Sequence, residues 1–398
     1  MLKITDFFYV LTPIVILYYF IVPQRWKSHF LLICSMIFIS FLSWKYLLYF
    51  LLNIILVYLA GILMRKGYKE RKNILQFILI WLIANFCFFK CVNIWRGAAS
   101  ETGIIYELCR QIGFSRLLLP VGLSYVTFRL IHYIVEIYRD NTPQGSFVEF
   151  ALFVLFFPTF LAGPVDRFQR FCPQIRETGV FNISSINSAL FRIVRGLVKK
   201  VIFADNLRNF ILPILVSPQS YNRSMVVCAI YVLTIQVYMD FSGYTDMAIG
   251  ISRLFGYTIM ENFDRPFFKK NIALFWRSWH ISMYSWIRDY FFLPLFGFKA
   301  SKTKLYAGIV LTMLVFHLWH FFSLSFIVLG LYHGLGLLIW QLFRSIKKKP
   351  VIIRPMAAQK YLDLLSVAGT FSFVSFGTVF LVADFTQAMK IISRMFVL

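Results

Sequence analysis

The chain has 398 residues, 59% of them hydrophobic and 19% aromatic, with 41 Lys and Arg against 17 Asp and Glu for a formal charge of +24. Soluble domains carry about 45–50% apolar residues, and single soluble cores stop growing near roughly 250–300 residues, so this composition excludes one soluble globule and makes lipid the solvent for much of the surface. The basic residues stand in loops and helices among the apolar runs rather than in a separate soluble module, which argues against nucleic-acid binding and fits a protein that meets anionic lipid.

Apolar runs fall at 7–23, 29–43, 46–64, 74–89, 117–138, 147–163, 189–215, 225–252, 305–320, 323–343 and 362–383. They predict helices, because hydrocarbon cannot satisfy backbone N–H and C=O groups. A full crossing takes about 20 residues, so the shorter runs are expected to be re-entrant or to sit where the bilayer thins. The opening Met1-Leu2-Lys3 run has no small-residue cleavage site and reads as a first span that stays in place. With no internal repeat and no soluble linker, residues 1–398 read as one domain.

Orientation follows the basic loops. Arg65, Lys66, Lys69, Arg71 and Lys72 form one, and Arg344, Lys347, Lys348, Lys349, Arg354 and Lys360 another; both are expected in the cytoplasm. Counting back one run from the second puts residues 321–322 outside and His320 near the outer end of its helix. Counting back three runs from the first puts the N-terminus outside. Residues 189–215 carry Arg192, Arg195 and Lys199 on one helical face and suit a membrane surface. Residues 272–297 read as a helix too polar to face lipid, which would line a protein-enclosed or watery cavity.

A charge at membrane depth costs about 2.5–3.5 kcal/mol or more, so polar clusters there require pairing or a function. Arg129, His132 and Glu136 follow Pro120-Val-Gly-Leu-Ser124-Tyr125 at i, i+3, i+7 spacing; they form either an interhelical packing cluster or a substrate contact. Gly163-Pro164 ends the run from Phe157, and Asp166 and Arg167 are expected to pair beyond it. Asp240, with Tyr244 and Asp246, sits in an otherwise apolar run, to bind a cation, hold a substrate or pair with a nearby arginine. The densest mixture runs from Glu261-Asn262-Phe263-Asp264-Arg265 into Trp276-Arg277-Ser-Trp279-His280 and on to Arg288-Asp289-Tyr290. It would cradle an acyl-pantetheine arm, with arginines on phosphates, or else form an aromatic packing face that Met283 interrupts. Finally, His317-Leu-Trp319-His320 closes one helix and His333-Gly334 lies on the next; imidazole suits proton transfer to and from a hydroxyl. The six cysteines, Cys34, Cys87, Cys91, Cys109, Cys172 and Cys228, give no metal-type grouping: Cys87 and Cys91 share a helical face, but no histidine stands near them, and no metal is expected.

These clusters together resemble the membrane-bound O-acyltransferase family over residues 117–390. The stretches Arg195-Gly-Leu-Val-Lys199-Lys200 to Asp205, Asp240-Phe-Ser-Gly-Tyr-Thr-Asp246 and Arg288-Asp289-Tyr290 are similar to its alginate O-acetylation branch. The stretch from Phe157-Pro-Thr-Phe to Asp166-Arg167-Phe-Gln-Arg170-Phe is closer to its branch for D-alanyl transfer to teichoic acid. The resemblance implies an all-α polytopic fold of about 11 transmembrane, re-entrant and interfacial helices around a central tunnel. It also implies His320 of Leu-Trp-His as catalytic histidine and His280 of Arg-Ser-Trp-His as the second. Where the family usually reads Gly-Leu-Trp-His-Gly, this chain has His317 and Phe321. The bulkier Phe321 would narrow the tunnel or change the acceptor, and His317 would partner His320 or merely accompany it.

The function expected is acyl transfer, foremost of acetyl, from a cytoplasmic thioester on CoA or an acyl-carrier phosphopantetheine. The acceptor would be an extracytoplasmic glycopolymer hydroxyl or a periplasmic or extracellular partner transferase, and no resident cofactor is needed. His320 would act as base, with Asn262, Trp276, Arg277, Trp279, Arg288, Asp289, Asp240, Tyr244, Trp319 and Arg129 contacting substrates. D-alanyl transfer from a carrier protein is the alternative within enzymes, and a multi-pass transporter the alternative outside them. The expected location is the cytoplasmic, or inner, membrane.

Overall fold

The protein is described here by a computed structural model covering residues 11–67, 70–98, 120–142, 145–177, 182–297, 301–346 and 356–396. Cys109, the basic run at 347–355 and the opening ten residues therefore lie outside the described residues. Those described are helical apart from turns and one isolated bridge pair, Phe263 with Trp279. They fall into two compact units, one within Met1–Val194 and Asp246–Met260, the other within Arg195–Thr245 and Glu261–Leu398.

Among the described residues, five helices are long and apolar enough to cross a membrane: Gln24–Arg65, Arg71–Val92, Arg223–Leu254, Leu324–Ile346 and Ala358–Val382. The runs at 29–43 and 46–64 join into one helical stretch, broken at Ser43, whose φ −173° and ψ 117° are extended. The kink marks the run boundary visible in the sequence. Other runs form shorter elements. Residues 117–138 yield Leu123–Tyr138, and 147–163 splits into Phe147–Leu155 and Phe157–Phe160. The 189–215 run spans the end of Ile183–Leu197, a π-helical stretch Val198–Ala204 and Asp205–Val216. Large apolar side chains such as Phe41, Phe191 and Phe343 stand exposed, as lipid-facing surface requires.

In the first unit the core is aromatic. Tyr133 stacks on Phe150 with ring centroids 3.9 Å apart, and Phe171 stacks on Tyr257 at 4.8 Å. Its Phe147–Leu155 helix starts with a capping box in which Ser146 Oγ accepts from Glu149 N–H and Glu149 Oε2 accepts from Ser146 N–H. The helix stops at Phe156, and Pro158 has no N–H for the carbonyl of Val154. Arg129 supplies the missing donors: Nη1 donates to Phe153 O and Val154 O, and Nη2 to Thr159 O and Oγ1. The expected break at Gly163-Pro164 is present, and a Cβ on Gly163 would lie 2.5 Å from Thr159 Cα.

The second unit contains an aliphatic cluster built on Ile211, Ile214, Ile230, Leu329, Val379 and Ile391. It also contains a helical hairpin, Lys302–Leu318 followed by Leu324–Ile346. Ser301 caps the first helix by accepting from Lys304 N–H. Gly330 and Gly334 let the helices approach: a Cβ on Gly330 would lie 2.9 Å from Leu314 Cα, and one on Gly334 3.1 Å from Val310 Cα. This contact fixes the hairpin that carries His317, His320 and His333.

Candidate functional site

The segment expected as one helix over 272–297 is not continuous. Ile272–Ser278 starts at Asn271, whose side chain accepts from Leu274 N–H, and ends where Trp279 turns extended. His280 then takes φ +46° and ψ 52°, and Ile281–Ile287 begins a new helix. Residues 262–264 cause the break by pairing with this junction. Asp264 N–H donates to Ser278 O at 3.0 Å, and Ile281 N–H donates to Asn262 O at 2.9 Å. A π-helical stretch, Arg288–Phe292, follows. Trp276 and Trp279 consequently do not continue one helical stripe.

Asn262 is fully buried at the centre of this junction. Its Oδ1 accepts from Ser282 Oγ at 2.6 Å and Ser282 N–H at 3.3 Å, and lies 3.3 Å from His280 Nδ1. Its Nδ2 donates to Thr245 Oγ1 at 3.5 Å. The His280 ring is enclosed edge-on by Phe241 at 4.7 Å, Phe316 at 6.2 Å and Trp319 at 6.4 Å. Trp279 packs against Phe263 at 5.1 Å and Phe275 at 5.6 Å.

The histidines of the hairpin play different parts. His317 Nδ1 donates to Met313 O at 2.7 Å, and its ring stacks on His333 at 5.4 Å with 3° between planes. Trp276 closes this nest, its ring 5.5 Å from His317 and 5.0 Å from His333. His320 lies two residues beyond the helix end, on the turn that closes it, donating its N–H to His317 O at 3.0 Å. Its half-buried ring stacks on Trp319 at 3.9 Å. Phe321 is 60% exposed and packs toward Phe326 at 5.7 Å. Among the buried polar atoms here that have no hydrogen-bond partner among the described residues are His280 Nε2, His333 Nδ1 and Trp276 Nε1.

The remaining expected site residues are spread more widely. Arg277 is exposed, and Arg288 is exposed and paired with Asp289 at 2.8 Å. Asp240 pairs with Lys200 at 2.8 Å, so its partner is a lysine rather than an arginine, and Lys200 also meets Asp205 at 3.0 Å. Tyr244 is half-buried on the Arg223–Leu254 helix. In the first unit Asp246 pairs with Arg192 at 2.7 Å. There Asp166 accepts from the backbone N–H of Arg167 and Met260 and faces Arg170 at 3.8 Å. Arg129 is 1% exposed with its guanidinium on main-chain carbonyls, and His132 Nε2 accepts from Phe168 N–H at 2.8 Å. Beside the junction, Lys269 hydrogen-bonds Asp264 at 2.7 Å and lowers its carboxyl pKa. Sequence reasoning gave no role to Ser282, Thr245 or the His317–His333 stack. Ser282 follows His280 by two residues, and nothing else in the sequence links it to Asn262.

Residues 73–379 match the membrane-bound O-acyltransferase family. The chain is 31% identical to the probable alginate O-acetylase AlgI of Pseudomonas aeruginosa, over 88% of this chain and 67% of that protein. It is 27% identical to the peptidoglycan O-acetyltransferase of Helicobacter pylori, over 98% of this chain and 78% of that one. With the teichoic acid D-alanyltransferase of Streptococcus thermophilus it shares 30% identity over 68% of each chain. The chain thus spans about two thirds of the length of the alginate relatives. All three relatives are named for acyl transfer and none for transport. A match over three quarters of the chain, joined to apolar helices of spanning length, makes this multi-pass membrane protein an acyltransferase of the membrane-bound O-acyltransferase family.

Proposed function

We propose that the chain moves an acetyl group from a cytoplasmic thioester, on CoA or an acyl-carrier phosphopantetheine, to hydroxyls of an extracytoplasmic polysaccharide or cell-wall polymer, directly or through a partner transferase. The observation that carries this is His320: a half-buried imidazole on the turn that ends a helix, its ring laid on Trp319. A base placed there is within the protein yet open to an incoming alcohol. In this reading, as the family resemblance implies, about 11 transmembrane, re-entrant and interfacial helices ring a central tunnel through a thinned cytoplasmic membrane, and donor and acceptor enter from opposite faces.

In the reaction, His320 takes the proton of the acceptor hydroxyl as its oxygen attacks the thioester carbonyl. The carbon–oxygen bond forms, the carbon–sulfur bond breaks, and the proton passes to the departing thiolate. The thioester is already activated, so proton removal and alignment are the chief tasks of the protein. Exposed Arg277 suits the anionic groups of the donor, as does the basic surface expected of the cytoplasmic face. Trp279 and His280 order the reacting end.

Transfer of labelled acyl groups from thioester to polymer in membranes tests this. His320→Ala is expected to lower the rate by about 10²–10⁴-fold, the usual weight of general acid–base catalysis, with insertion intact. Wild-type transfer by a correctly inserted variant refutes the assignment. The likeness to the S. thermophilus D-alanyltransferase supports one second reading, D-alanyl transfer from a carrier protein to a teichoic-acid-like polymer. Mass spectrometry of the acyl group lost from the polymer on deletion separates the two.

A further inference from the structure

His280 is a non-glycine residue in the left-handed region, at a junction between two seven-residue helices. Such a conformation persists only where its surroundings over-determine it. Asn262 does this twice. Its main-chain carbonyl takes Ile281 N–H just beyond His280, and its side-chain oxygen takes Ser282 N–H and Ser282 Oγ. A backbone N–H can only donate, so the Asn262 atom facing Ser282 N is the oxygen. The ring nitrogen facing that same oxygen, His280 Nδ1, must then carry the hydrogen. In the neutral ring this leaves Nε2 as a bare lone pair.

That lone pair is buried and without a partner among the described residues. Buried acceptors are costly to leave unpaired, so the site lacks a donor. A thioester carbonyl cannot be the missing group, since it too only accepts. An alcohol O–H or an amide N–H fits.

We propose that Asn262 and Ser282 are positioning residues that act through His280, holding its proton on Nδ1 so that Nε2 accepts a hydrogen bond from an O–H or N–H of the reacting substrates. This rests on the acyl-transfer reading above. It moves Asn262 from direct contact with the donor to the support of His280, and it gives Ser282 a part in the reaction.

The test uses the full chain in lipid nanodiscs with ¹⁵N-labelled histidine. Subtracting the spectrum of His280→Gln isolates the His280 ring nitrogens. The wild type is expected to show protonated Nδ1 and bare Nε2, and Asn262→Leu and Ser282→Ala to populate the opposite tautomer. Ser282→Thr, which keeps the hydroxyl, should restore the wild-type pattern. A wild-type ring protonated on Nε2, or a tautomer unmoved by Asn262→Leu, overturns the proposal. No turnover is needed, so this outcome stands apart from whether His320 is the base. Kinetics supply a second arm: Asn262→Leu should lower kcat by about 10²-fold with a smaller change in KM. Combining it with His280→Gln should add nothing to the loss from His280→Gln alone. Additive losses would show Asn262 acting independently and overturn the proposal. Should Asn262→Leu fail to insert, the Ser282→Ala and Ser282→Thr pair carries both arms.

Discussion

Two groups of buried polar residues, one in each unit, answer the same cost in opposite ways. Around Arg129 and His132 the two Nη groups of the guanidinium and the imidazole Nε2 are matched chiefly to main-chain atoms. Arg129 replaces the helix donors that Pro158 and the turn at Phe156 remove, and His132 Nε2 receives Phe168 N–H. Around His280 and His333 the side chains are equally buried, yet His280 Nε2, His333 Nδ1 and Trp276 Nε1 find no hydrogen-bond partner among the described residues. A polar group inside an apolar protein is explained by structure when its partners belong to the backbone. It asks for a ligand when its partners are missing. Type and depth alone do not separate the two cases; hydrogen-bond accounting does.

The largest effect that tests this contrast is at Arg129. Arg129→Met leaves the carbonyls of Phe153, Val154 and Thr159 short of donors inside the core. We expect a loss of roughly 3–5 kcal/mol of stability, from several unmet groups at about 1–3 kcal/mol each. Thermal unfolding in detergent should show a much lower midpoint, while molecules that remain folded transfer acyl groups at near the wild-type rate. Normal melting with lost transfer would dissolve the contrast and return Arg129 to the substrate path.

Next in size is Gly330→Ala. The new methyl would sit 2.9 Å from Leu314 Cα and 3.1 Å from Met313 O, and backbone atoms cannot turn aside. Overpacking of this kind costs about 1–3 kcal/mol. Because the same hairpin carries His317, His320 and His333, melting point and transfer should fall together. Gly334→Ala, with its nearest atom at 3.1 Å, should do less of both. Transfer unchanged by Gly330→Ala would mean that the hairpin spacing does not set the position of His320.

Much of this was legible in the sequence because it is local. Run lengths gave the long helices, Gly163-Pro164 gave the break, and the close of the 305–320 run placed His320 at a helix end. What stayed hidden is long-range. No glycine or proline stands in 272–287 to announce the break at Trp279–His280; the pairing of residues 262–264 imposes it. The stack of His317 on His333 depends on a hairpin whose signal, Gly330-xxx-Gly334, is short. Ser43 closes an apolar run, a boundary visible in the sequence, but only the backbone shows that the helical stretch continues through it with a kink. Of the readings open for the two carboxylates of the Asp240–Asp246 run, pairing is the one found: Asp246 takes an arginine, Arg192, while Asp240 takes Lys200 of the π-helical stretch Val198–Ala204, a lysine rather than the expected arginine.

Asp240 offers the smallest effect and separates scaffold from site within a single residue. Its carboxylate is 45% exposed and shares Lys200 with Asp205. Half-exposed ion pairs contribute about 0–1 kcal/mol, and Lys200 would keep Asp205 in Asp240→Asn. The melting point should therefore barely move. The informative quantity is KM for the thioester. If the Lys200 pair is the whole purpose of Asp240, KM stays within about fivefold, since less than 1 kcal/mol is at stake. A rise of tenfold with unchanged melting would exceed anything this ion pair can supply and would set Asp240 among the groups that meet the substrate. The loss would then concern a contact made only with substrate bound, which explains why the resting pair with Lys200 is so ordinary.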